Sequence, residues 1–288
     1  MPNHTSLFDL TNKIAVVTGA SYGLGVTFAE TLAQAGAKVA LAARSANKLA
    51  SVAEKIAHKG GTAAAFSCDV SNAAQVAELR EDIEKKWGIA DIVVNNDGIA
   101  ADGGPVPEKV PHDAFIKTIE VNLFGTWYCC REFGAAMLRR GRGGSIINIA
   151  SIAGLDGWRD AAPAYQASKA AVINLTRNLA CSWGDRNVRV NAIAPGWFPS
   201  ELTAPLFALG GFEKSMAATT PMRRLGRPEE LAAPLLFLAS EASSFVTGSV
   251  LVVDGGFSAS SGDFPYPEAA RDHLAKILPN ELGKHIRP

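Results

Sequence analysis

Neither sign of charge is in excess in this chain. Its 28 Lys and Arg are matched by 28 Asp and Glu, so it lacks the basic surplus that a nucleic-acid or anionic-membrane partner calls for. No apolar stretch approaches the roughly 18 residues of a membrane span. The opening Met1-Pro-Asn-His-Thr-Ser has neither the basic start nor the apolar core of a secretion signal. Cysteine is scarce: Cys68, Cys129, Cys130 and Cys181 form no C-x-x-C pair and are expected to be small apolar packing residues in a reducing compartment, the cytoplasm. The histidines, at 4, 58, 112, 273 and 285, form no ligand-like cluster, so no metal site is expected. No internal repeat, low-complexity tract or linker divides the chain.

What remains is an alternation of apolar runs and helical stretches. With 288 residues, 48% of them hydrophobic, the chain is long enough to fill one large α/β core. Strands are expected near 13–18, 38–43, 62–67, 91–95, 145–150, 188–194 and 249–253, with helices in most of the gaps. This alternation implies parallel strands, right-handed crossovers and helices on both faces.

Four features carry chemistry. Tyr165 and Lys169 are four residues apart in a stretch free of Pro and Gly from Ala164 to Trp183, so one helix face holds a phenol beside an ammonium. A nearby positive charge favours the phenolate, and a tuned tyrosine can exchange a proton with a carbonyl or alcohol. Taken alone, the spacing also fits two unrelated residues on an amphipathic helix. Thr18-Gly-Ala-Ser-Tyr-Gly-Leu-Gly25 joins an apolar strand to a helical stretch. In that setting the glycines let the backbone approach a pyrophosphate at a helix N-terminus. The spacing, Gly19, Gly23 and Gly25, is not the usual G-x-G-x-x-G. Ser151 follows the apolar run from Ser145, at the sheet edge where ligands bind; it can hold a substrate oxygen beside Tyr165 or simply cap a turn. Asn122 stands in an apolar helical stretch, where an amide needs partners. A helix distortion with a bound water would supply them.

With these motifs in this order, the chain resembles the short-chain dehydrogenase/reductase superfamily from about Leu10 to Phe257. The resemblance implies a Rossmann-type doubly wound sheet of seven mainly parallel strands in the order 3-2-1-4-5-6-7. It implies a single domain over 1–257, with a substrate loop at about 196–226 and a C-terminal extension over 258–288. The catalytic tetrad maps onto Asn122, Ser151, Tyr165 and Lys169. Lys169 would lower the tyrosine pKa and grip the nicotinamide ribose, while Asn122 would hold a proton-passing water. The cofactor turn contributes Gly19, Ser21, Tyr22, Gly23, Leu24 and Gly25. The adenine-side acid is Asp69, followed by Val70. The turn after the fourth strand contributes Asn96 and Gly98, and the sixth strand leads into Pro195, Gly196, Phe198, Ser200 and Thr203. Asp97 departs from the family's small apolar residue. A solvated turn, an ion pair, or a weakened cofactor with a basic substrate are its three readings, with the solvated turn favoured. The family also implies a homotetramer or homodimer, with helices around 112–139 and 163–184 between subunits.

Cofactor choice follows from a missing acid. NAD enzymes of this architecture place a carboxylate about 20 residues past the glycine turn, yet no Asp or Glu occurs between Glu30 and Glu54. Ala43 occupies the position and Arg44 follows, so a guanidinium is offered to a 2′-phosphate, with Ser45 or Asn47 adding hydrogen bonds. NADP(H) is the expected cofactor, although Tyr22 stands where many NADP members carry a basic residue. Trp158, Trp197, Leu202 and Phe207 are the expected apolar walls of the substrate pocket, around Ser151 and Tyr165. The substrate is expected to be a carbonyl compound of moderate size and the protein an NADPH-dependent carbonyl reductase. A 3-oxoacyl-thioester reductase, a sugar or polyol dehydrogenase and a non-catalytic nucleotide-binding regulator are the alternatives.

Overall fold

The computed structural model describes residues 4–103, 106–159, 161–208 and 210–260. Seven strands form one sheet: β1 (Ile14–Thr18), β2 (Lys38–Ala43), β3 (Thr62–Ser67), β4 (Ile92–Asn95), β5 (Gly144–Ile149), β6 (Val188–Pro195) and β7 (Val250–Val253). Their order is β3-β2-β1-β4-β5-β6-β7, and every pairing is parallel. β1 and β4 are buried along their whole length. That is why they read as unbroken apolar runs: a parallel sheet has helices over both faces.

Among the described residues nine α-helices follow in chain order: α1 (Gly23–Gln34), α2 (Ala46–His58), α3 (Ala73–Lys86), α4 (His112–Ile119), α5 (Thr126–Arg140), α6 (Pro163–Trp183), α7 (Ala204–Phe207), α8 (Phe212–Thr219) and α9 (Ala232–Ala239). Two cores result. Phe28, Leu32, Leu49 and Leu235 pack on one face of the sheet, and Val76, Ile83, Phe133 and Met137 on the other. Cys68, Cys129 and Cys130 are buried, as expected of small packing residues, whereas Cys181 is exposed and packs no core.

Met1–Phe257 forms one compact unit. The expected C-terminal extension lies outside the described residues from 261 onward. No described helix is long and apolar enough to cross a membrane, and no metal-ligating cluster occurs among the described residues.

Candidate active site

Parallel strands with their crossovers leave one sheet edge where all the strand C-termini meet, and the predicted motifs converge there. A cleft is lined by the glycine turn (Gly19, Tyr22, Gly23, Leu24), by Asn96, Asp97 and Gly98 after β4, and by Ile149 to Ser151 after β5. Tyr165 and Lys169 from α6 and Pro195, Gly196, Phe198, Ser200, Leu202 and Thr203 after β6 complete it.

The turn is built for close approach. A Cβ added at Gly25 would collide with the Gly19 carbonyl oxygen, so only glycine lets α1 start this near β1. Asn96 pins the turn, its Nδ2 donating to the carbonyls of Thr18 (3.1 Å) and Gly19 (3.2 Å). Such a backbone cradle at a helix N-terminus suits a pyrophosphate.

The catalytic wall is held by α6. Ser151 both caps and faces the site: its Oγ accepts from Ala153 N at 3.1 Å and hydrogen-bonds Tyr165. Burial pushes the Tyr165 phenol above its ordinary 10, and the Ser151 bond pulls it down. Lys169 stands one helical turn further along the same helix. Its ammonium donates to the Ile149 carbonyl at 2.8 Å and stands 5.7 Å from the Tyr165 ring centroid. Burial pushes Lys169 down to about 8, against the opposing charge of Asp97. Gly98 gives it room, since an added Cβ would meet Lys169 Nζ at 3.3 Å.

The helix distortion expected at Asn122 is a π turn over Glu120–Gly125 between α4 and α5. Its amide is held by protein groups. Nδ2 donates to the Ile99 carbonyl (2.9 Å) and Ser168 Oγ (3.0 Å), and Oδ1 accepts from Ile99 N (2.9 Å). Asn122 thus ties the loop after β4 to α6. Sequence reasoning missed a second tie, Asp102. It is 3% exposed, its Oδ2 accepts from Ala164 N (2.6 Å) and Tyr165 N (3.4 Å), and its Oδ1 accepts from Thr118 Oγ1 (3.1 Å). It caps the helix that carries Tyr165 and Lys169. No local signal marks it, because its partners on α6 lie 62 residues downstream.

The adenine-side residues lie beyond the cleft lining. Ser21 flanks the turn and Gly25 lies buried beneath it. Arg44 and Ser45 are exposed at the end of β2. Asp69 accepts from Ser71 N (3.0 Å) and Oγ (2.7 Å); burial raises its pKa, but these bonds outweigh that and hold it below 3.8. Val70 is buried over the π turn, at 2.8 Å from a Cβ added to Gly125. Tyr22, exposed, has the Lys48 ammonium 5.4 Å from its ring centroid. The positive charge that Tyr22 itself lacks is thus brought by α2, another group the spacing did not single out.

Among the expected substrate walls, Leu202 lines the cleft, but Trp158, Trp197 and Phe207 do not. They pack with one another and their neighbours instead. Trp158 stacks on Trp197 at 5.8 Å, Trp197 meets Phe212 edge-on at 5.6 Å, and Phe207 lies 5.8 Å from Phe212. Trp197 sits between the cleft-lining Gly196 and Phe198, and its Nε1 is buried without a protein partner. Ser200 and Thr203 join their hydroxyls at 3.2 Å.

Asp97 corrects the solvated-turn reading. Its Oδ2 is enclosed and has no hydrogen-bond partner. Burial pushes its carboxyl up to about 6, opposed by a bond from Thr18 and the charge of Arg44. Because the folded value lies above the ordinary 3.8, the native state holds this proton more tightly and stability falls as pH rises from about 4 through 6. In melting curves of the nucleotide-free protein, Asp97→Asn should gain stability relative to the parent at pH 7.5, and that gain should shrink by about 2 kcal/mol at pH 4.5. A difference between the two that is flat with pH would contradict the enclosed carboxylate.

These features define an enzyme of nicotinamide-dinucleotide architecture, and comparison with known proteins agrees. The family model described as Enoyl-(Acyl carrier protein) reductase matches residues 19–258. Gluconate 5-dehydrogenase of Gluconobacter oxydans (strain 621H) is 38% identical over 258 residues, 90% of this chain and 99% of that protein. The 7alpha-hydroxysteroid dehydrogenase of Escherichia coli (strain K12) is 36% identical over 247 residues, 86% of this chain and 94% of that one. The crystal structure of a gluconate 5-dehydrogenase from Burkholderia cenocepacia J2315, in complex with NADP and tartrate, superposes with a TM-score of 0.85 at 33% identity, covering 90% of this chain and all of that one. The chain belongs to the short-chain dehydrogenase/reductase family and is an oxidoreductase of it.

Proposed function

We propose that this protein is an NADP(H)-dependent carbonyl reductase, working reversibly on a ketone or secondary alcohol of moderate size. The observation that carries the reading is one cleft in which the glycine turn, Ser151, Tyr165 and Lys169 share a wall. The residues fit the cofactor. The turn has backbone space only glycine leaves, Arg44 makes no side-chain hydrogen bond or ion pair among the described residues, and Lys48 stands near Tyr22. Arg44 and Lys48 would hold the 2′-phosphate, and Lys169 the nicotinamide ribose. NADP in the Burkholderia cenocepacia relative supports the same choice.

The nicotinamide, when bound, supplies or takes the hydride. The chain does the rest. Ser151 and Tyr165 direct hydroxyls at one point and hold the carbonyl oxygen there. The Tyr165 hydroxyl gives that oxygen its proton in reduction and takes it back in oxidation. The Lys169 ammonium stabilises the phenolate that Tyr165 leaves behind. Asn122 and Asp102 keep α6, and so both side chains, in place.

Phe198 and Leu202, which line the cleft, support an apolar contact for the substrate. A second reading, a polyol or sugar-acid dehydrogenase, is favoured by the gluconate 5-dehydrogenase relatives. The test is NADPH titration followed by a panel of cyclic ketones, ketoses and keto-sugar acids with both cofactors. NADPH should bind more tightly than NADH, and apolar ketones should give the higher kcat/KM. Better turnover of keto-sugar acids would replace the substrate reading, and no nicotinamide binding would sink the whole proposal. Exposed Ile116, Phe124 and Trp127 along α4 to α5 support self-association. A dimer or tetramer mass by sedimentation is expected, and a monomer would oppose it.

A further inference from the structure

The loop after β6 comes back to the glycine turn. Its tightest part, from Phe198 to Ala204, is fixed by its own bonds. Ser200 N donates to Thr203 Oγ1 (2.9 Å), Thr203 Oγ1 donates to the Phe198 carbonyl (2.9 Å), and Ala204 N donates to the Ser200 carbonyl (2.8 Å). Glu201 stands within this turn. A Cβ added at Gly23 would meet Glu201 Oε2 at 2.9 Å and Ser200 Cβ at 3.6 Å. Both the loop and its carboxylate therefore lie against the first residue of α1.

The N-terminus of α1 attracts such a group. The aligned peptides of a helix place partial positive charge there. This helix has no acidic residue in its first turn, and its N-cap residue, Tyr22, makes no side-chain capping bond. Glu201 is exposed and makes no ion pair or hydrogen bond among the described residues. An unneutralised carboxylate is thus placed at the turn that suits the cofactor pyrophosphate. The pyrophosphate carries charge of the same sign and calls on the same helix end.

Resting on the cofactor use proposed above, we infer that Glu201 is an internal competitor of the cofactor pyrophosphate, which weakens nucleotide binding and speeds release of the spent cofactor. Entry of the pyrophosphate sets like charge against Glu201 and drives the carboxylate off the turn. Leu202 and Thr203, next in the chain, line the cleft, so the segment that yields is also part of the substrate wall. The effect is blind to the 2′-phosphate, because NAD(H) and NADP(H) carry the same pyrophosphate.

The experiment is titration of NADPH and NADH onto the full chain, followed by nicotinamide fluorescence, for the parent, Glu201→Gln and Glu201→Ala. Stopped-flow displacement gives the dissociation rates, and no turnover is needed. Glu201 is exposed, so neither change disturbs the core, and the Ala variant guards against a new hydrogen bond in the Gln one. At about 20 mM salt each variant should bind both nucleotides about fivefold more tightly and release them more slowly, as a like charge is removed. At about 0.5 M salt, where the screening length falls to roughly 4 Å, the gain should shrink. In competition against NADPH, 2′-AMP, which has the adenine-side phosphate but no pyrophosphate, should bind parent and variants equally. Unchanged or weaker binding of both nucleotides overturns the inference and leaves the proposed function standing. So does a gain confined to NADPH, or a matching gain for 2′-AMP, either of which would place Glu201 against the 2′-phosphate. Failure of the parent to bind either nucleotide overturns the proposed function as well.

Discussion

Tyr165→Phe is expected to lower kcat by about 10³-fold, within the range that a positioned proton donor contributes, while NADPH affinity changes less than about twofold. The variant keeps the ring and so keeps its contact with the nearby Lys169 ammonium; only the hydroxyl that bonds Ser151 is lost. Lys169→Ala should instead weaken both binding and turnover, because its ammonium is anchored to Ile149 at 2.8 Å and faces the cleft. Separate behaviour of the two variants in initial-rate and titration data is the signature of the assigned roles. Near-normal kcat in the Phe variant would show that another group delivers the proton.

The second large effect concerns the cofactor. Ala43→Asp with Arg44→Leu should move the ratio of kcat/KM for NADPH over NADH by about 10²-fold toward NADH, as a charged phosphate partner is replaced by a diol acceptor. Ala43 is the last residue of β2 and Arg44 is exposed just beyond it, so the change falls at the sheet edge and spares the core. An unmoved ratio would transfer the reading of the phosphate to Lys48, whose ammonium stands beside Tyr22.

The legible parts of this molecule are those encoded by local pattern. A parallel strand buried on both faces has to be an apolar run, so Ile14–Thr18 and Ile92–Asn95 stand out. The helix of Tyr165 and Lys169 is bounded by Pro163 at its first turn and Gly184 after its last. Asn122 stood out because an amide in an apolar stretch needs partners, and a π turn provides the setting. What stayed hidden depends on long-range placement. Asp102 caps α6 from a loop 62 residues away. The bonds to the Asp97 carboxyl come from Thr18, at the end of β1, and from Gly19 just beyond it. A turn position favours Asp for its backbone alone, so nothing local distinguishes an enclosed carboxylate from a solvated one. Trp158 and Trp197 are apolar in any reading; that they stack on each other beside the cleft is decided by loops far apart in sequence.

The central claim is that this cleft passes a hydride between a nicotinamide and a carbonyl carbon while Tyr165 handles the proton. The most direct test is to supply NADPH carrying deuterium at the transferable C4 position, together with the best ketone of the panel, and to analyse the product alcohol by mass spectrometry and NMR. The account predicts one deuterium on the carbinol carbon with the parent protein and almost none in the same time with Tyr165→Phe. Tight NADPH binding with no deuterium transferred to any carbonyl substrate would contradict it.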